Sequence, residues 1–402
     1  MTNTTYKQTA IGLIPSEWEV RKLGEIADVD KKSLKSDTNP KYQFDYISLS
    51  DVDSDDFNIE TSKQIFKSAP SRARRIVNKG DILMSTVRPN LQGFSIIRNN
   101  VNDLIASTGF AVITANDCDN FFLYQYIFSN PIQKQFYGLL VGSNYPVINS
   151  SDVKLLKIPL PPLAEQQKIA ALLSTWDVAI DNCKNIIEKI SYRNKGLEQQ
   201  FLSGKIRVKG FEKTQWHLKS VEEVAVFKNG KAHENCIDEE GDYFVVNSKF
   251  ISTQGKVAKA SNENLCPLFK SDITMVMSDI PNGKALAKCF YIPEDNKYTL
   301  NQRICALTAR KGINSKFLYY QMNRNNYYLA FNNGVSQTNL KKEEVLECPL
   351  LMPDVEEQIQ IVKLIDTATE ELKQYEQKLQ TLQLQKKGLM QQLLTGKVRV
   401  KI

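Results

Sequence analysis

The chain has 402 residues, a formal net charge of +7, 42% hydrophobic residues and 24% charged residues. This length predicts two or three domains, and the composition is that of an ordinary soluble protein. Because no apolar run approaches the ~20 residues of a membrane span and the N-terminus lacks the apolar core of a signal peptide, we expect a cytoplasmic protein with no membrane partner.

The cysteine and histidine content argues against a metal site. The seven cysteines are scattered without a C-x-x-C pair, and His217 and His233 are the only histidines. Zinc sites are built from clustered cysteine and histidine ligands. We therefore predict reduced core thiols and no bound metal.

The first globular unit follows a polar lead-in, opens at 18–27 and ends near residue 158, so that its segment is 1–158. Glycine, asparagine and aspartate residues separate its short β-branched and aromatic runs, which favours a twisted, mostly antiparallel sheet. The predicted strands lie at 46–49, 81–85 and 111–114. An aromatic stretch at 121–136 predicts a helix, so the unit is expected to mix α and β structure.

Positive charge gathers in the first unit between Lys67 and Asn90, where six basic residues accompany one acidic residue. Arginine can grip phosphates or pair with guanine, and asparagine and glutamine can read adenine. A polar loop at 142–146 is a second candidate for base reading. The predicted DNA-binding residues of this unit are Arg72, Arg74, Arg75, Arg88, Asn90, Gln92, Ser143, Asn144 and Tyr145. The alternative is a solvated basic loop without a ligand.

A long helix with a coiled-coil seam is predicted within residues 159–208. Apolar residues recur there at alternating steps of four and three, which is the spacing of a heptad seam. The predicted seam residues are Ile169, Leu173, Trp176, Ile180, Ile187, Asn194 and Leu197.

The pattern of the first unit starts again at 216–225, within a second globular segment at 209–349. Its predicted strands lie at 243–246, 272–278 and 304–308, and an aromatic helical stretch follows at 316–328. The polar loop at 334–339 is the counterpart of 142–146. The predicted DNA-binding residues are Lys228, Lys231, Asn247, Lys249, Asn282, Lys284, Ser336, Gln337 and Asn339. Each of these could equally be an exposed polar residue.

The final segment, residues 350–402, repeats the first helix 192 residues later. An ungapped comparison of 161–208 with 353–400 gives 16 identical residues in 48, including glutamines, glycines and basic residues off the seam. A shared heptad does not explain those matches, so the chain is interpreted as a tandem duplication of unit and helix. The second seam comprises Ile361, Ile365, Leu372, Leu379, Leu382, Lys386 and Leu389.

Two copies of one helix pack most simply as an antiparallel pair, which generates a pseudo-twofold axis. Asn194 and Lys386 occupy equivalent seam positions and would specify the register. A seam from Ile169 to Phe201 would span about 48 Å, against ~34–36 Å for one turn of duplex DNA. The predicted fold class is α+β, with two similar mixed α/β units joined by two long helices in an antiparallel coiled coil with pseudo-twofold symmetry.

The sequence contains no motif that supports catalysis. No glycine pattern matches a dinucleotide-binding loop or a P-loop, and neither histidine stands beside a plausible nucleophile and acid. The chain is therefore predicted to be non-catalytic and to hold no cofactor of its own.

The motif Ile158–Ile169, the ending Leu202–Arg207 and their second copies resemble the specificity subunit of type I restriction-modification enzymes. Asp81–Ser85 and Ser107–Val112 also look like signatures of that family's first target-recognition domain. The resemblance covers essentially the whole chain. The second copy departs from the pattern, because it keeps one of the first copy's three prolines and has Arg303 near where a glycine is expected.

The resemblance implies a subunit that binds double-stranded DNA and docks two methyltransferase subunits, with restriction motor subunits joining for cleavage. Each target-recognition domain would read one half of a bipartite, asymmetric target, and S-adenosylmethionine, Mg and ATP would be held by the partner subunits. Since two copies of one partner need two copies of one surface, we interpret off-seam identities as partner contacts. These residues are Lys195, Gln199, Arg207, Lys387, Gln391 and Arg399.

Two alternative functions stay open at this point. A coiled-coil scaffold without DNA readout would explain the seams but not the paired globular units. A stand-alone DNA-modifying enzyme would need a cofactor or metal site that the sequence does not reveal.

Overall fold

The computed structural model describes residues 5–52, 59–139, 147–280 and 283–401, and the predicted DNA-binding residues Ser143, Asn144, Tyr145 and Asn282 lie outside these ranges. The chain divides into two compact units. The first unit comprises Met1–Glu188 with Tyr375–Ile402, and the second comprises Lys189–Gln374. Each unit therefore includes a part of both long helices, which the sequence analysis had placed in segments of their own.

The first unit is built from short strands and helices ahead of one long helix. Its strands are β1 (Tyr6–Thr9), β2 (Gly12–Pro15), β3 (Glu19–Lys22), β4 (Ala27–Val29), β5 (Gln43–Ile47), β6 (Ser62–Ile65), β7 (Ala73–Val77), β8 (Ile82–Ser85), β9 (Phe94–Ile96), β10 (Leu104–Ser107), β11 (Phe110–Ala115) and β12 (Lys157–Leu160). Its helices are α1 (Leu23–Ile26), α2 (Asn120–Ile127), α3 (Asn130–Leu139), α4 (Ser150–Leu155) and the start of α5 (Leu163–Leu202).

The second unit repeats this order with small differences. Its strands are β13 (His217–Ser220), β14 (Ala225–Asn229), β15 (Tyr243–Val246), β16 (Lys259–Ser261), β17 (Ile273–Val276), β18 (Ser278–Asp279), β19 (Cys289–Tyr291), β20 (Tyr298–Leu300), β21 (Ile304–Ala309), β22 (Thr338–Asn339) and β23 (Pro349–Met352). Its helices are α6 (Val221–Val224), α7 (Ser248–Ser252), α8 (Ser315–Met322), α9 (Asn326–Leu329), α10 (Lys342–Leu346) and the start of α11 (Val355–Leu393).

The two units share a sheet of the same strand order. It runs β4-β11-β8-β9 in the first unit and β14-β21-β17-β19 in the second. The central strands β8 and β17 are buried along their whole length, which explains why three of the four residues in each are apolar. Among the described strands most pairs are antiparallel, as predicted, but β5 pairs with β10 and β15 with β20 in parallel.

Within each unit the two long helices run antiparallel. In the first unit, the Cys183 thiol lies 3.6 Å from the Tyr375 carbonyl, and the Lys386 ammonium lies 2.5 Å from the Asp177 carboxylate. In the second unit, the Asn194 amide donates to the Ala368 carbonyl at 2.6 Å. Both polar seam residues thus bond across the helix pair of their own unit.

The remaining seam residues face inward. Ile169, Leu173, Ile180, Ile361 and Ile365 are buried. The others are half-buried, namely Trp176, Ile187, Leu197, Leu372, Leu379, Leu382 and Leu389. The first turns of α5 and α11 enter the main apolar cores of the first and second unit, respectively. These observations confirm the predicted α+β fold class with two related units and two long helices.

Candidate nucleic-acid interface

A junction of three chain segments lies at the end of β8 in the first unit. The Thr86 amide and hydroxyl both donate to the Gly109 carbonyl, at 2.9 and 2.8 Å. The Ile148 amide donates to the Thr86 carbonyl at 3.0 Å, and Val87 forms a β-bridge with Val147. The junction therefore joins the exit of β8, the turn before β11 and the segment that leads into α4.

The second unit contains the same junction at the end of β17. The Met277 amide donates to the Arg303 carbonyl at 3.1 Å, and the Leu340 amide donates to the Met277 carbonyl at 2.8 Å. Beside them, β18 pairs with β22, so that Ser278 lies opposite Asn339. Backbone hydrogen bonds fix the two junctions, and the side chains on them are free to differ.

The predicted residues Arg88, Asn90 and Gln92 lie on a turn directly after the first junction. Arg88 and Gln92 flank the 3-10 turn Pro89–Leu91, with φ of 50° and 55°. Left-handed conformations at non-glycine residues carry a small energetic cost and often mark functional turns. Arg88 and Asn90 are exposed and Gln92 is half-buried, so this turn can present arginine and amide groups to a ligand.

The three arginines around β7 occupy different environments. Arg72 is exposed, and its carbonyl accepts a hydrogen bond from the Thr108 amide at the junction's turn. Arg74 packs its guanidinium 4.8 Å from the Phe66 ring centre. Arg75 forms an ion pair with the buried Asp30 at 2.9 Å. Arg72 is thus the best placed of the three, because the charges of the other two are already in contact with groups of their own unit.

At the second junction three polar side chains form one network. The Gln337 side-chain amide donates to the Ser278 hydroxyl at 2.8 Å and to the side-chain oxygen of Asn339 at 3.2 Å. The Ser278 hydroxyl donates to that same Asn339 oxygen at 2.5 Å. Gln337 and Asn339 are exposed, so their remaining donors and acceptors face solvent. The backbone amide of the exposed Ser336 donates to the Asn333 side chain at 3.2 Å, so Asn333 caps the adjoining turn.

Arg303 lies beside this network, and the sequence analysis did not select it. It is exposed and belongs to the lining of two adjacent clefts, of about 470 and 230 Å³. The larger cleft also includes the predicted Asn247 and Lys249, and the smaller includes Ser278 and Asn339. Arg303 therefore lies between the predicted residues of the larger cleft and those of the smaller cleft. The repeat could have indicated Arg303, because it stands one residue before β21, just as Gly109 stands one residue before β11.

The other predicted DNA-binding residues of the second unit differ in their contacts. The Asn247 side chain caps α7 by accepting from the Phe250 amide at 2.9 Å. The Lys228 ammonium donates to the Pro267 carbonyl at 2.5 Å, so this lysine ties together parts of its own unit. Lys231 is exposed and forms a β-bridge with Asn301, and Lys284 is exposed.

The matched residues Glu165, Arg399 and Trp18 form a buried cluster in the first unit. The Arg399 guanidinium donates twice to the Glu165 carboxylate, at 2.6 and 2.7 Å, and the Trp18 indole donates to it at 3.1 Å. The Glu165 side chain is fully buried. We call this arrangement the first Glu–Arg–Trp clasp.

The second unit repeats the clasp with Glu357, Arg207 and Trp216. Arg207 donates to both carboxylate oxygens at 2.9 and 2.8 Å, and Trp216 donates at 2.9 Å. Burial opposes the charge on Glu357, but the hydrogen bonds from Arg207 and Trp216 outweigh it, so its pKa is lowered.

Arg207 and Arg399, which were predicted to be partner contacts, form the clasps of their own units. Both guanidinium groups are engaged inside their own unit, and this intramolecular role is sufficient to explain their identity in the repeat. The other predicted partner residues, Lys195, Gln199, Lys387 and Gln391, are exposed. They remain candidates for an external contact.

The comparisons with known proteins agree with this duplicated architecture. A family model described as the type I restriction modification DNA specificity domain matches residues 15–192 and 213–384. The chain belongs to the type I restriction-modification specificity family. The first matched range contains the first junction, and the second matched range contains the second junction.

Several relatives in the specificity family are similar over part or all of the chain. The MjaX specificity subunit of Methanocaldococcus jannaschii is 25% identical, with 98% of this chain and 97% of that protein covered. The MjaIX specificity subunit of the same organism is 30% identical over 47% of this chain and 45% of its own length. The HindI specificity subunit of Haemophilus influenzae is 29% identical over 41% and 36%.

Two solved structures share the fold. One belongs to a study of complex assembly and conformational transition in the type I R-M system, with a TM-score of 0.63, 19% identity and coverage of 96% of this chain and 99% of that chain. The other is the type I restriction-modification S subunit of M. genitalium, with a TM-score of 0.57, 17% identity and coverage of 100% and 98%.

The described residues contain no group of three or more histidine, cysteine or acidic residues placed to hold a metal ion. No helix in the described part of the chain combines the length and apolar character needed to span a bilayer.

Proposed function

We propose that this chain is the DNA-reading subunit of a type I restriction-modification complex, in which each unit contacts one half of a bipartite, asymmetric target. The observation that carries the proposal is one backbone junction built twice with different exposed side chains. Arg88 and Asn90 follow the first junction, whereas Arg303, Gln337 and Asn339 surround the second. Two equal scaffolds with unequal polar surfaces are what reading two unlike half-sites requires.

The experiment is to co-express the chain with the methyltransferase subunit of its system and to map methylated adenines in the host DNA. A two-part motif with a fixed gap is expected. The double variant R88A/N90A should relax or abolish one half of the motif, and Q337A/N339A should affect the other half only. Lys154→Ala and Lys311→Ala, which change exposed lysines away from the junctions, serve as matched controls. Loss of both halves by either double variant would contradict the assignment of one unit to each half.

Docking of two methyltransferase subunits is the second part of the proposal. The exposed identities Lys195/Lys387 and Gln199/Gln391 recur on α5 and α11. Gly196 and Gly388 stand next to the lysines, and a side chain added at either glycine would meet nothing within 4 Å.

A glycine inside a helix costs roughly 1 kcal/mol relative to alanine, and no contact of these two glycines explains that cost. A partner that approaches the helix backbone closely would explain it. The same face exists twice, which fits two copies of one subunit.

On this proposal the chain is non-catalytic and acts in the cytoplasm. S-adenosylmethionine, Mg and ATP would be bound by the methyltransferase and restriction subunits rather than by this chain. Two assays test the alternatives directly. Methylation or cleavage of DNA by the purified chain alone would support a stand-alone enzyme, and an assembled complex that does not bind DNA would support a scaffold. Genuine phosphate contacts should weaken steeply as salt is raised.

A further inference from the structure

A basic cavity of about 650 Å³ lies within the first unit, and Gln92, from the turn after the first junction, forms part of its lining. Its lining includes Lys134 of α3, Lys184 of α5, Lys387 of α11 and Lys397 of the C-terminal tail. Four cationic side chains from four separate segments therefore converge on one concavity. A charged face of a single helix would place its lysines outward and side by side, and would not bring them together from different elements.

The charges of these lysines are not balanced by the protein. Asp177 is the acidic residue in the lining, and it forms an ion pair with the fifth lysine, Lys386, at 2.5 Å. Among the described residues, none of Lys134, Lys184, Lys387 and Lys397 forms an ion pair. Like charges held around a cavity repel each other, and an anion in the cavity would relieve that repulsion.

One side of the cavity is apolar. Tyr124 and Ile180 are buried, and Phe128 and Met390 are half-buried. Ile11, from the turn between β1 and β2, adds a further wall. Small-molecule sites typically have volumes of roughly 300–1,000 Å³ and combine apolar or aromatic walls with a few polar groups. This cavity has both properties, together with an excess of positive charge.

We propose that the cavity binds a nucleoside polyphosphate, with the phosphates near the four lysines and the base against the wall that contains Tyr124 and Phe128. The concave lining, with an apolar wall on one side and lysines from four segments, favours a small ligand over a DNA duplex or an acidic protein segment, because both of those need an extended strip of surface. The cavity shares Gln92 and Lys387 with the proposed DNA and partner contacts, and the variants that test the proposal leave both residues unchanged.

The test is calorimetric titration of the full chain with ATP, tripolyphosphate and adenosine at low ionic strength. We expect ATP to bind more tightly than tripolyphosphate, and adenosine to bind weakly or not at all, because the phosphates supply the charge attraction and the base adds contact area. The variant K134E/K184E should lower the ATP affinity by about tenfold or more for each lysine, since a hydrogen bond to a charged group contributes on that order. Lys134 and Lys184 belong to no other proposed site, so the DNA and partner functions should be retained.

Two further variants keep the test interpretable. K134Q/K184Q removes the charge without reversing it, and K256E/K311E changes two exposed lysines of the second unit as a matched control. The melting temperature of K134Q/K184Q should not fall, because the substitution removes unpaired like charges.

Three results would overturn the proposal: no binding of ATP or tripolyphosphate, ATP binding that K134E/K184E leaves unchanged, or binding of only a DNA duplex or polyglutamate at these lysines.

Discussion

Removal of Arg207 tests the clasp of the second unit. The Glu357 carboxylate has no solvent exposure, whereas the Arg207 side chain is 20% exposed. Replacing the arginine by methionine keeps most of the chain length but leaves a buried carboxylate without its cation. Breaking a buried ion pair in this way typically costs about 3–5 kcal/mol. Trp216 and Thr214 would still donate to Glu357, so we place R207M near the lower end, at about 3 kcal/mol.

The double variant R207M/E357Q should be more stable than R207M, because the carboxylate that lacks a cation becomes a neutral amide. Urea unfolding gives the stability change, and hydrogen exchange of peptides from the start of α11 shows that the loss is local. Arg303→Met is the matched control, since Arg303 is an exposed arginine of the same unit and such substitutions usually change stability by less than about 0.5 kcal/mol. If R207M is no less stable than R303M, the clasp does not stabilise the unit as argued.

The same clasp predicts a dependence on pH. The pKa of Glu357 is lowered in the folded chain, so its contribution is fully present above the ordinary glutamate pKa of 4.5 and is lost as the pH falls through the lowered value. The stability difference between the wild type and E357Q should therefore be constant near neutral pH and shrink in acid. A difference that grows in acid would contradict this sign.

Three further predictions follow from other parts of the structure. G196A and G388A should each stabilise the free chain by about 0.5–1 kcal/mol in thermal unfolding. The larger side chains of G196L/G388L should weaken assembly with the methyltransferase subunit, as measured by size-exclusion chromatography. Normal assembly of the leucine variant would argue against close approach of the partner at these glycines. Burial raises the pKa of the Cys305 thiol to about 12, so alkylation at pH 8 should label it only after unfolding, and rapid labelling of the native chain would show that the core opens. In the assembled complex, R72A should reduce the salt dependence of DNA binding, whereas K154A should not; equal slopes for the two variants would place Arg72 away from the phosphates.

The long helices were predictable because their signal is periodic and repeated. Ile169, Leu173 and Ile180 recur at the spacing of one helix face, and the structure buries that face. The antiparallel arrangement followed from the duplication. The parallel pairs β5–β10 and β15–β20 did not, since strand direction depends on connections that short apolar runs do not reveal.

The clasps could not be assigned from sequence even though every member was visible in the repeat. Trp18 and Trp216 match, as do Glu165 and Glu357, and Arg207 and Arg399. Identity between the two copies indicates that both positions are constrained, but it does not show whether the side chains face inward or outward. In the first unit, Gly396, with φ of 68°, lets the chain turn after α11, and a β-carbon there would lie 2.4 Å from Pro15. That close approach brings together residues from the two ends of the sequence.

The arginines of β7 show a second limit of sequence reasoning. Arg74 and Arg75 are adjacent, so they point to opposite faces of the strand, and a count of basic residues treats them alike. The partner of Arg75 is Asp30, which lies 45 residues earlier and is brought near by tertiary structure. Charge density therefore indicated the region as a candidate but could not separate a structural ion pair from an available cation.

The repeat separates three kinds of residue by physical role. Residues inside the units, such as Glu165 and Glu357, are identical because one buried geometry admits little variation. Gly196 and Gly388 on the long helices are identical without an internal contact to explain them, which is consistent with an external one. Residues around the junctions differ, because backbone hydrogen bonds hold those segments and leave the side chains unconstrained. On the proposed function, a change of DNA target therefore requires no change in the buried clasps or the helix seam, and exchanging one globular region at the clasp boundaries should alter one half-site while the rest of the assembly is retained.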